Sequence, residues 1–123
     1  MSDSRKTEII RALFAAYQFR DRGAVEGVFS DDFTFTSPYD DRINKAAYFE
    51  RCWPISQSTI AANTIERIFI QGDSAFVTYQ CRTIDGRKFR NTEFFTFDGE
   101  RIRSIDVYFG ATYKDGVFVK QEY

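Results

Sequence analysis

The stretch FFTFDGERIRSIDVYFG, residues 94–110, predicts a β-hairpin. Apolar and polar residues alternate on both sides of Asp98-Gly99, and an Asp-Gly pair between two such runs is typical of a hairpin turn. The same kind of dipeptide recurs at Gly72-Asp73 and at Asp85-Gly86. Four strands joined by these short turns are predicted to form an antiparallel meander, over residues 63–71, 74–84, 88–97 and 101–109. A short fifth strand is predicted at 117–119.

The amino-terminal half of the chain predicts helices. Residues 4–20 place apolar side chains three and four positions apart, which is the period of one buried helix face. A second helix is predicted from about Ala24, and a third from Asn44, a good N-cap residue, to Pro54. Three helices packed on one face of an antiparallel sheet make an α+β fold, and we expect one domain over residues 1–123.

A short strand is predicted between the second and third helices, within FTFTSPYDD at residues 33–41. Phe33 and Phe35 alternate with threonines, as in a strand with one buried face. Pro38 has no N–H to donate to a sheet, so the strand should end there and leave Asp40 on a loop. A loop carboxylate is usually solvated. The alternative is that Asp40 acts as a catalytic base at the rim of a cavity.

The composition argues against several classes of protein. A net charge of -1 is unsuited to nucleic-acid binding, which needs a basic surface. No apolar run approaches the roughly 20 residues of a membrane-spanning helix, and the polar amino terminus lacks a signal peptide. Cys52 and Cys81 match no metal-binding or redox spacing. We therefore expect a cytoplasmic protein with reduced cysteines, no metal, no cofactor, and neither nucleic acid nor membrane as a partner.

The chain contains no histidine, although 18% of its residues are aromatic. The lack of histidine removes the commonest general base and most catalytic zinc sites. Any catalysis must therefore use carboxylates, tyrosine, lysine, arginine or cysteine. The aromatic residues either fill a core or line an apolar cavity, which is the usual setting of a small-ligand site.

The predicted order of helix, helix, strand, helix and four-stranded meander resembles that of the nuclear transport factor 2-like superfamily. This superfamily includes ketosteroid isomerase and the SnoaL-like polyketide cyclases. The resemblance extends from residue 4 to about residue 110, and GAVEGVFSDDFTFTSP at 23–38 and the hairpin at 94–110 carry most of it. It implies a cone-shaped, curved sheet with the helices on its concave face. It specifies fold better than function, because this scaffold carries many chemistries.

The resemblance to ketosteroid isomerase fails at two of the three catalytic positions. Ser37 stands before the proline, where that enzyme has its catalytic aspartate, and Leu13 lies near the place of its oxyanion tyrosine. Glu93 matches the acid of the oxyanion hole, and Tyr17, one helical turn beyond Leu13, is a possible substitute for the tyrosine. The resemblance therefore implies the SnoaL-like branch rather than a ketosteroid isomerase.

Strand alternation, combined with this resemblance, predicts which residues line the cone. If Glu93 faces inward, Asn91 and Phe95 do so too, and the family's register also turns the even-numbered residues of the preceding strand inward. The candidate catalytic residues are Glu93, Tyr17 and Asp40. The candidate ligand-binding residues are Ser37, Trp53, Thr78, Gln80, Arg82, Asn91, Phe95 and Phe109. In the alternatives, the polar face meets solvent, or Arg82 and Glu93 form a purely structural pair.

This register places Val77, Tyr79 and Cys81 on the outer sheet face, together with Phe94 and Tyr108. A bare apolar sheet face is rarely left in water, so a homodimer is predicted. The predicted function is binding of a small, largely apolar organic ligand in the cone. If catalytic, the protein would be a carboxylate-based lyase, isomerase or hydrolase. The alternative is a non-catalytic dimerisation or protein-association domain.

Overall fold

A curved sheet of seven strands carries all of the helices on one face. The structure is a computed structural model that describes residues 2–120. The helices are α1 (Asp3–Gln18), α2 (Arg22–Val28), α3 (Lys45–Arg51) and α4 (Trp53–Thr59). The strands are β1 (Phe29–Ser37), β2 (Asp40–Asn44), β3 (Ile60–Gln71), β4 (Ser74–Thr83), β5 (Arg87–Asp98), β6 (Arg101–Lys114) and β7 (Val117–Val119).

The strand order confirms the predicted α+β fold and the meander. The order is β2-β1-β6-β5-β4-β3, with β7 paired to β6, and β3 to β6 follow one another as antiparallel neighbours. The sheet is mixed rather than wholly antiparallel, because β1 runs parallel to β6. Parallel neighbours require a long connection between them, and here β2, two helices and strands β3 to β5 separate β1 from β6.

Three helices begin at a residue whose side chain accepts a hydrogen bond from a backbone N–H of the first turn. Ser2 accepts from Arg5 N at 3.1 Å, Asp21 from Ala24 N at 3.1 Å, and Asn44 from Ala47 N at 2.9 Å, which confirms Asn44 as an N-cap. No helix within residues 2–120 is long and apolar enough to span a membrane.

The predictions around the two prolines need correction. Pro54 does not end the third helix; it lies in the first turn of α4, where the missing N–H would have no partner anyway. Pro38 does follow the end of β1, but the chain then folds straight back, and Asp40 begins β2 instead of lying on a loop. Ser37 pairs with Asp40 across this hairpin.

The register of β4 is opposite to the predicted one. Val77 lies opposite Glu93 and Tyr79 opposite Asn91, and residues directly opposed across two strands project to the same face. The inward side chains of β4 are therefore Val77, Tyr79 and Cys81. Thr78, Gln80 and Arg82 lie on the outer face, so the prediction that they line the cone is wrong.

The turn between β4 and β5 explains this reversal. A two-residue turn at Asp85-Gly86 would have produced the predicted register. Instead three residues, 84–86, separate the paired ends, where Arg87 N donates to Thr83 Oγ1 at 3.0 Å. Gly86 adopts a φ of 87°, which glycine reaches without steric cost and which is typical of three-residue hairpin loops. One extra residue in the turn reverses the facing of every side chain on the strand.

The outer sheet face retains an apolar patch of different composition from the predicted one. Phe69, Phe76 and Phe94 lie side by side on β3, β4 and β5, and we call them the outer aromatic row. The rings of Phe76 and Phe94 are 4.8 Å apart between centroids. Phe94 and Tyr108 lie on this face as predicted, whereas Val77, Tyr79 and Cys81 do not.

The core lies between the helices and the inner sheet face. Its fully buried side chains are Ile10, Val25, Phe29, Phe33, Val77, Phe95 and Ile102. The rings of Phe29 and Phe33 are stacked, with centroids 4.0 Å apart and an interplanar angle of 3°. These contacts close one part of the cone and leave a cavity in the remainder.

Candidate functional site

A cavity of about 540 Å³ lies between the helices and the inner face of the sheet. Most of its wall is apolar, and its aromatic lining consists of Phe14, Tyr17, Phe35, Tyr39, Tyr48, Tyr79, Phe89 and Phe109. A cavity of this volume, with an apolar wall and few polar groups, has the properties of a site for a small organic ligand.

Five polar residues from four elements meet in the wall of this cavity, and we call them the polar cluster: Tyr17, Tyr48, Tyr79, Asn91 and Glu93. The hydroxyls of Tyr17 and Tyr48 are hydrogen-bonded to each other. The Tyr79 hydroxyl donates to Glu93 Oε2, and it accepts from Asn91 Nδ2 at 3.3 Å. The helices and the sheet therefore each contribute hydroxyls beside one carboxyl group.

The direction of these hydrogen bonds follows from the backbone. Gly110 N donates to Asn91 Oδ1 at 3.4 Å, so the Asn91 amide must present its N–H₂ to Tyr79. The close approach requires glycine, since a Cβ at position 110 would lie 2.1 Å from the Arg90 carbonyl oxygen. Because the Tyr79 oxygen accepts from Asn91, its hydrogen is directed to Glu93 Oε2.

Glu93 Oε2 is therefore an acceptor, and a proton carried by this carboxyl group resides on the other oxygen, Oε1. Among residues 2–120, Glu93 Oε1 has no hydrogen-bond partner, and the Glu93 side chain lines the cavity. The polar cluster thus leaves one carboxyl oxygen available to a ligand.

The Glu93 side chain is partly buried, and it lines the cavity. The resulting loss of hydration raises the pKa of Glu93 from 4.5 to about 7, against the opposing effect of the hydrogen bond from Tyr79. Near neutral pH this carboxyl group can therefore both accept and donate a proton.

The three tyrosines of the polar cluster are hydrogen-bond donors rather than bases. Burial is the largest cause that raises the pKa of each of them, Tyr17, Tyr48 and Tyr79, and the nearby Glu93 carboxylate raises all three pKa values further. Their hydroxyls consequently stay protonated at neutral pH, and Glu93 is the member of the cluster that can change charge there.

Asp40 lies at the solvent-facing side of the cavity as part of an ion pair. Its Oδ1 lies 3.5 Å from the Arg51 guanidinium, and its Oδ2 accepts from Cys52 Sγ at 3.6 Å. Burial, followed by the Asp40 charge, raises the pKa of the Cys52 thiol to about 12. Asp40 is thus placed in strand β2 with two partners, instead of on the loop where a free base was predicted.

The structure brings together part of the predicted site. Tyr17, Ser37, Asp40, Asn91, Glu93 and Phe109 line the cavity. Trp53 and Phe95 are buried outside its lining, so neither is placed to contact a ligand as predicted. Thr78, Gln80 and Arg82 face outward, and neither a ligand-binding nor a structural Arg82–Glu93 pair forms.

Sequence reasoning missed two members of the polar cluster, Tyr48 and Tyr79. The predicted register places Tyr79 on the outer face with the rest of its strand, and it depends on the length of the turn at 84–86. Tyr48 lies in the apolar stripe of α3, where a hydroxyl among aromatic residues suggests a buried partner. That partner, Tyr17, comes from a helix 31 positions away in the chain.

Comparisons with known proteins agree with this architecture. The SnoaL-like domain model matches residues 10–105. An NTF2-like protein of unknown function from Cytophaga hutchinsonii has a similar structure, with 16% identity, a TM-score of 0.70, and coverage of 85% of this chain and 88% of that one. An NTF-2 like protein of unknown function from Burkholderia xenovorans is also similar, with 18% identity, a TM-score of 0.72, and coverage of 88% of this chain and 84% of that one.

An LEH-like epoxide hydrolase from M. tuberculosis is also similar, at 21% identity and a TM-score of 0.72, with coverage of 86% of this chain and 83% of that one. None of the curated proteins matches this chain significantly. At these identities the structural likeness shows the fold alone.

Proposed function

We propose that this chain, which belongs to the SnoaL-like domain family, binds a small and largely apolar organic molecule in its cavity. One observation carries the proposal: Glu93 Oε1 is a polar atom without a partner in residues 2–120, in the wall of an apolar cavity of about 540 Å³. A ligand with one polar group would satisfy this atom, and its apolar part would contact the aromatic lining.

The same geometry supports acid–base chemistry by Glu93. Its pKa of about 7 is close to the value at which a general acid or base works best at neutral pH. One of the hydroxyls of Tyr17 and Tyr48 donates to the other, so the second keeps a hydrogen that can stabilise negative charge developing on a substrate. If the protein is an enzyme, we propose a carboxylate-based lyase, isomerase or hydrolase in which Glu93 transfers the proton.

Nile red, a neutral apolar fluorescent probe, tests whether the cavity is open to a ligand. We expect it to bind the wild-type protein and to bind Val107→Trp at least tenfold more weakly, because Val107 lines the cavity and indole would occupy it. Tyr108→Trp is the matched control, since Tyr108 lies next along β6 on the outer face. Fluorescence titration of variants shown by circular dichroism to be folded measures the affinities. Equal affinity of Val107→Trp and wild type would contradict the proposal.

A second candidate function, a non-catalytic association domain, is favoured by the outer aromatic row. Phe69 and Phe76 are 69% and 48% exposed, and with Phe94 they form a continuous apolar strip across three strands. Exposed apolar patches of this kind mark association surfaces. We propose that the partner is a second copy of the chain, since two identical sheet faces can pair about a two-fold axis.

Sedimentation equilibrium tests the proposed dimer. We expect a dimer at micromolar concentration, and we expect Phe76→Asp to be monomeric, because it places a charge at the centre of the outer aromatic row. Phe19→Asp is the control, since Phe19 is 79% exposed at the end of α1 and should leave the dimer intact. A monomeric wild-type protein would rule out this interface.

We further propose that the protein resides in a reducing compartment, the cytoplasm. Cys52 and Cys81 are free thiols, and Cys81 is buried in the cavity wall. Burial is the main cause that raises the pKa of both thiols to about 12, which makes them poor nucleophiles. Free thiols are usual for proteins of the cytosol.

A further inference from the structure

The cavity contains a carboxyl group without a cation. Among the described residues that line it, Arg51 is the only lysine or arginine, and its guanidinium is 3.5 Å from Asp40. The Glu93 side chain forms no ion pair within residues 2–120, and its one hydrogen-bond partner there is the neutral hydroxyl of Tyr79. A carboxylate that has lost hydration is costly unless a positive charge compensates it.

Tyrosine side chains line the same cavity as this carboxyl group. Tyr17, Tyr48 and Tyr79 come from α1, α3 and β4, and each is close enough to Glu93 for the carboxylate charge to raise its pKa. Other rings hold them in place: Phe14 lies 4.9 Å from Tyr79, and Phe35 lies 4.8 Å from Tyr48, between centroids. The faces of aromatic rings attract cations, most strongly where water is excluded.

We propose that the ligand of this cavity is a protonated organic amine whose N–H donates to Glu93 Oε1. The inference rests on the proposed function, because it names the polar group of the molecule that the cavity binds. The positive charge lies among the tyrosine rings, and the apolar part of the amine contacts Phe89, Ile105 and Phe109. An organic acid is disfavoured, since its charge would repel that of Glu93.

Binding of an amine requires the ionised form of Glu93 and should therefore depend on pH. The other titratable groups near Glu93 are Tyr17, Tyr48, Tyr79 and Cys81, whose pKa values burial raises, so all four stay neutral between pH 6 and pH 8. Asp40, Arg51 and Cys52 contact one another through the ion pair and the thiol hydrogen bond described above, and none of these contacts includes Glu93. Because the pKa of Glu93 is about 7, the carboxylate is mostly protonated at pH 6 and mostly ionised at pH 8.

The test compares 1-naphthylmethylamine with 1-naphthylmethanol, a neutral molecule of nearly the same shape, by isothermal titration calorimetry. At pH 8 we expect the amine to bind at least tenfold more tightly than the alcohol. At pH 6 the affinity for the amine should fall roughly tenfold, in proportion to the ionised fraction of Glu93, while that for the alcohol does not fall.

Two carboxylate-to-amide variants test whether Glu93 causes the preference for the amine and its pH dependence. Glu93→Gln should bind the amine at least tenfold more weakly at pH 8 and should lose the pH dependence. Glu66→Gln is the matched control, because Glu66 lies outside the cavity lining and pairs with Arg90 at 2.8 Å. It should behave like wild type with both probes.

The outcomes separate this inference from the proposed function. Binding of neither probe would contradict the ligand-binding cavity itself. Alcohol binding equal to or tighter than amine binding at pH 8 would overturn the amine proposal and leave the cavity standing. An amine affinity that is unchanged in folded Glu93→Gln would also overturn it. If Glu93→Gln does not fold, the ratio of the wild-type protein's affinities for the amine and the alcohol at pH 6 and pH 8 still tests the amine proposal.

Discussion

At pH 8.5 the Glu93→Gln variant is expected to unfold at a temperature about 10 °C above that of the wild-type protein, but at pH 5 only a few degrees above it. The folded protein raises the pKa of Glu93 from 4.5 to about 7, so the folded state binds this proton more tightly than the unfolded chain does. The stabilisation is complete below pH 4.5 and is lost as the pH rises through 7. Above pH 8 the ionised carboxylate costs about 3 kcal/mol of unfolding free energy, which glutamine avoids.

Thermal unfolding followed by circular dichroism between pH 5 and pH 8.5 measures this difference. Glutamine can still accept the hydrogen bond from Tyr79, so the substitution removes the charge and little else. Glu66→Gln is again the control and should show no such gain at alkaline pH, because the Glu66 carboxylate is paired with Arg90. If Glu93→Gln and wild type keep a constant difference in Tm across this range, Glu93 is hydrated and its pKa is not raised by burial.

Phe33→Ala should lower the unfolding free energy by about 3–5 kcal/mol, the usual loss when a buried phenylalanine is truncated in a closed core. Phe33 is fully buried and its ring is stacked on that of Phe29, with centroids 4.0 Å apart. Both rings belong to the buried core and pack against Tyr48 of α3, so the space left by the ring would stay largely empty. Urea denaturation of the purified variant gives the magnitude.

Phe35→Ala, two residues along the same strand, is the matched comparison. Phe35 is only partly buried and lines the cavity, so its truncation enlarges an existing space and should cost at most about half as much. Similar losses for the two variants would show that the cone is filled around Phe35, against the open cavity on which the proposed function depends.

Local patterns in the sequence determined most of the fold. Glycine-containing turns at residues 72, 86 and 99 separate the strands of the meander, and glycine is suited to the positive φ that all three adopt. Alternation on β5 placed Glu93, Asn91 and Phe95 on one face, because successive side chains of a strand must point to opposite sides. The resemblance to SnoaL-like proteins, drawn from the order of elements, is confirmed by the family model over residues 10–105, and similar solved structures confirm the fold.

Only the tertiary structure decided which polar side chains line the cavity. The facing of β4, and with it the replacement of Arg82 by Tyr79 beside Glu93, depends on one additional residue in the turn at 84–86. The Tyr17–Tyr48 hydrogen bond depends on how two helices pack against each other. The position of Asp40 depends on the pairing of β2 with β1. The physical reason is that alternation determines which residues of a strand share a face, whereas turn geometry and long-range pairing determine which way that face points.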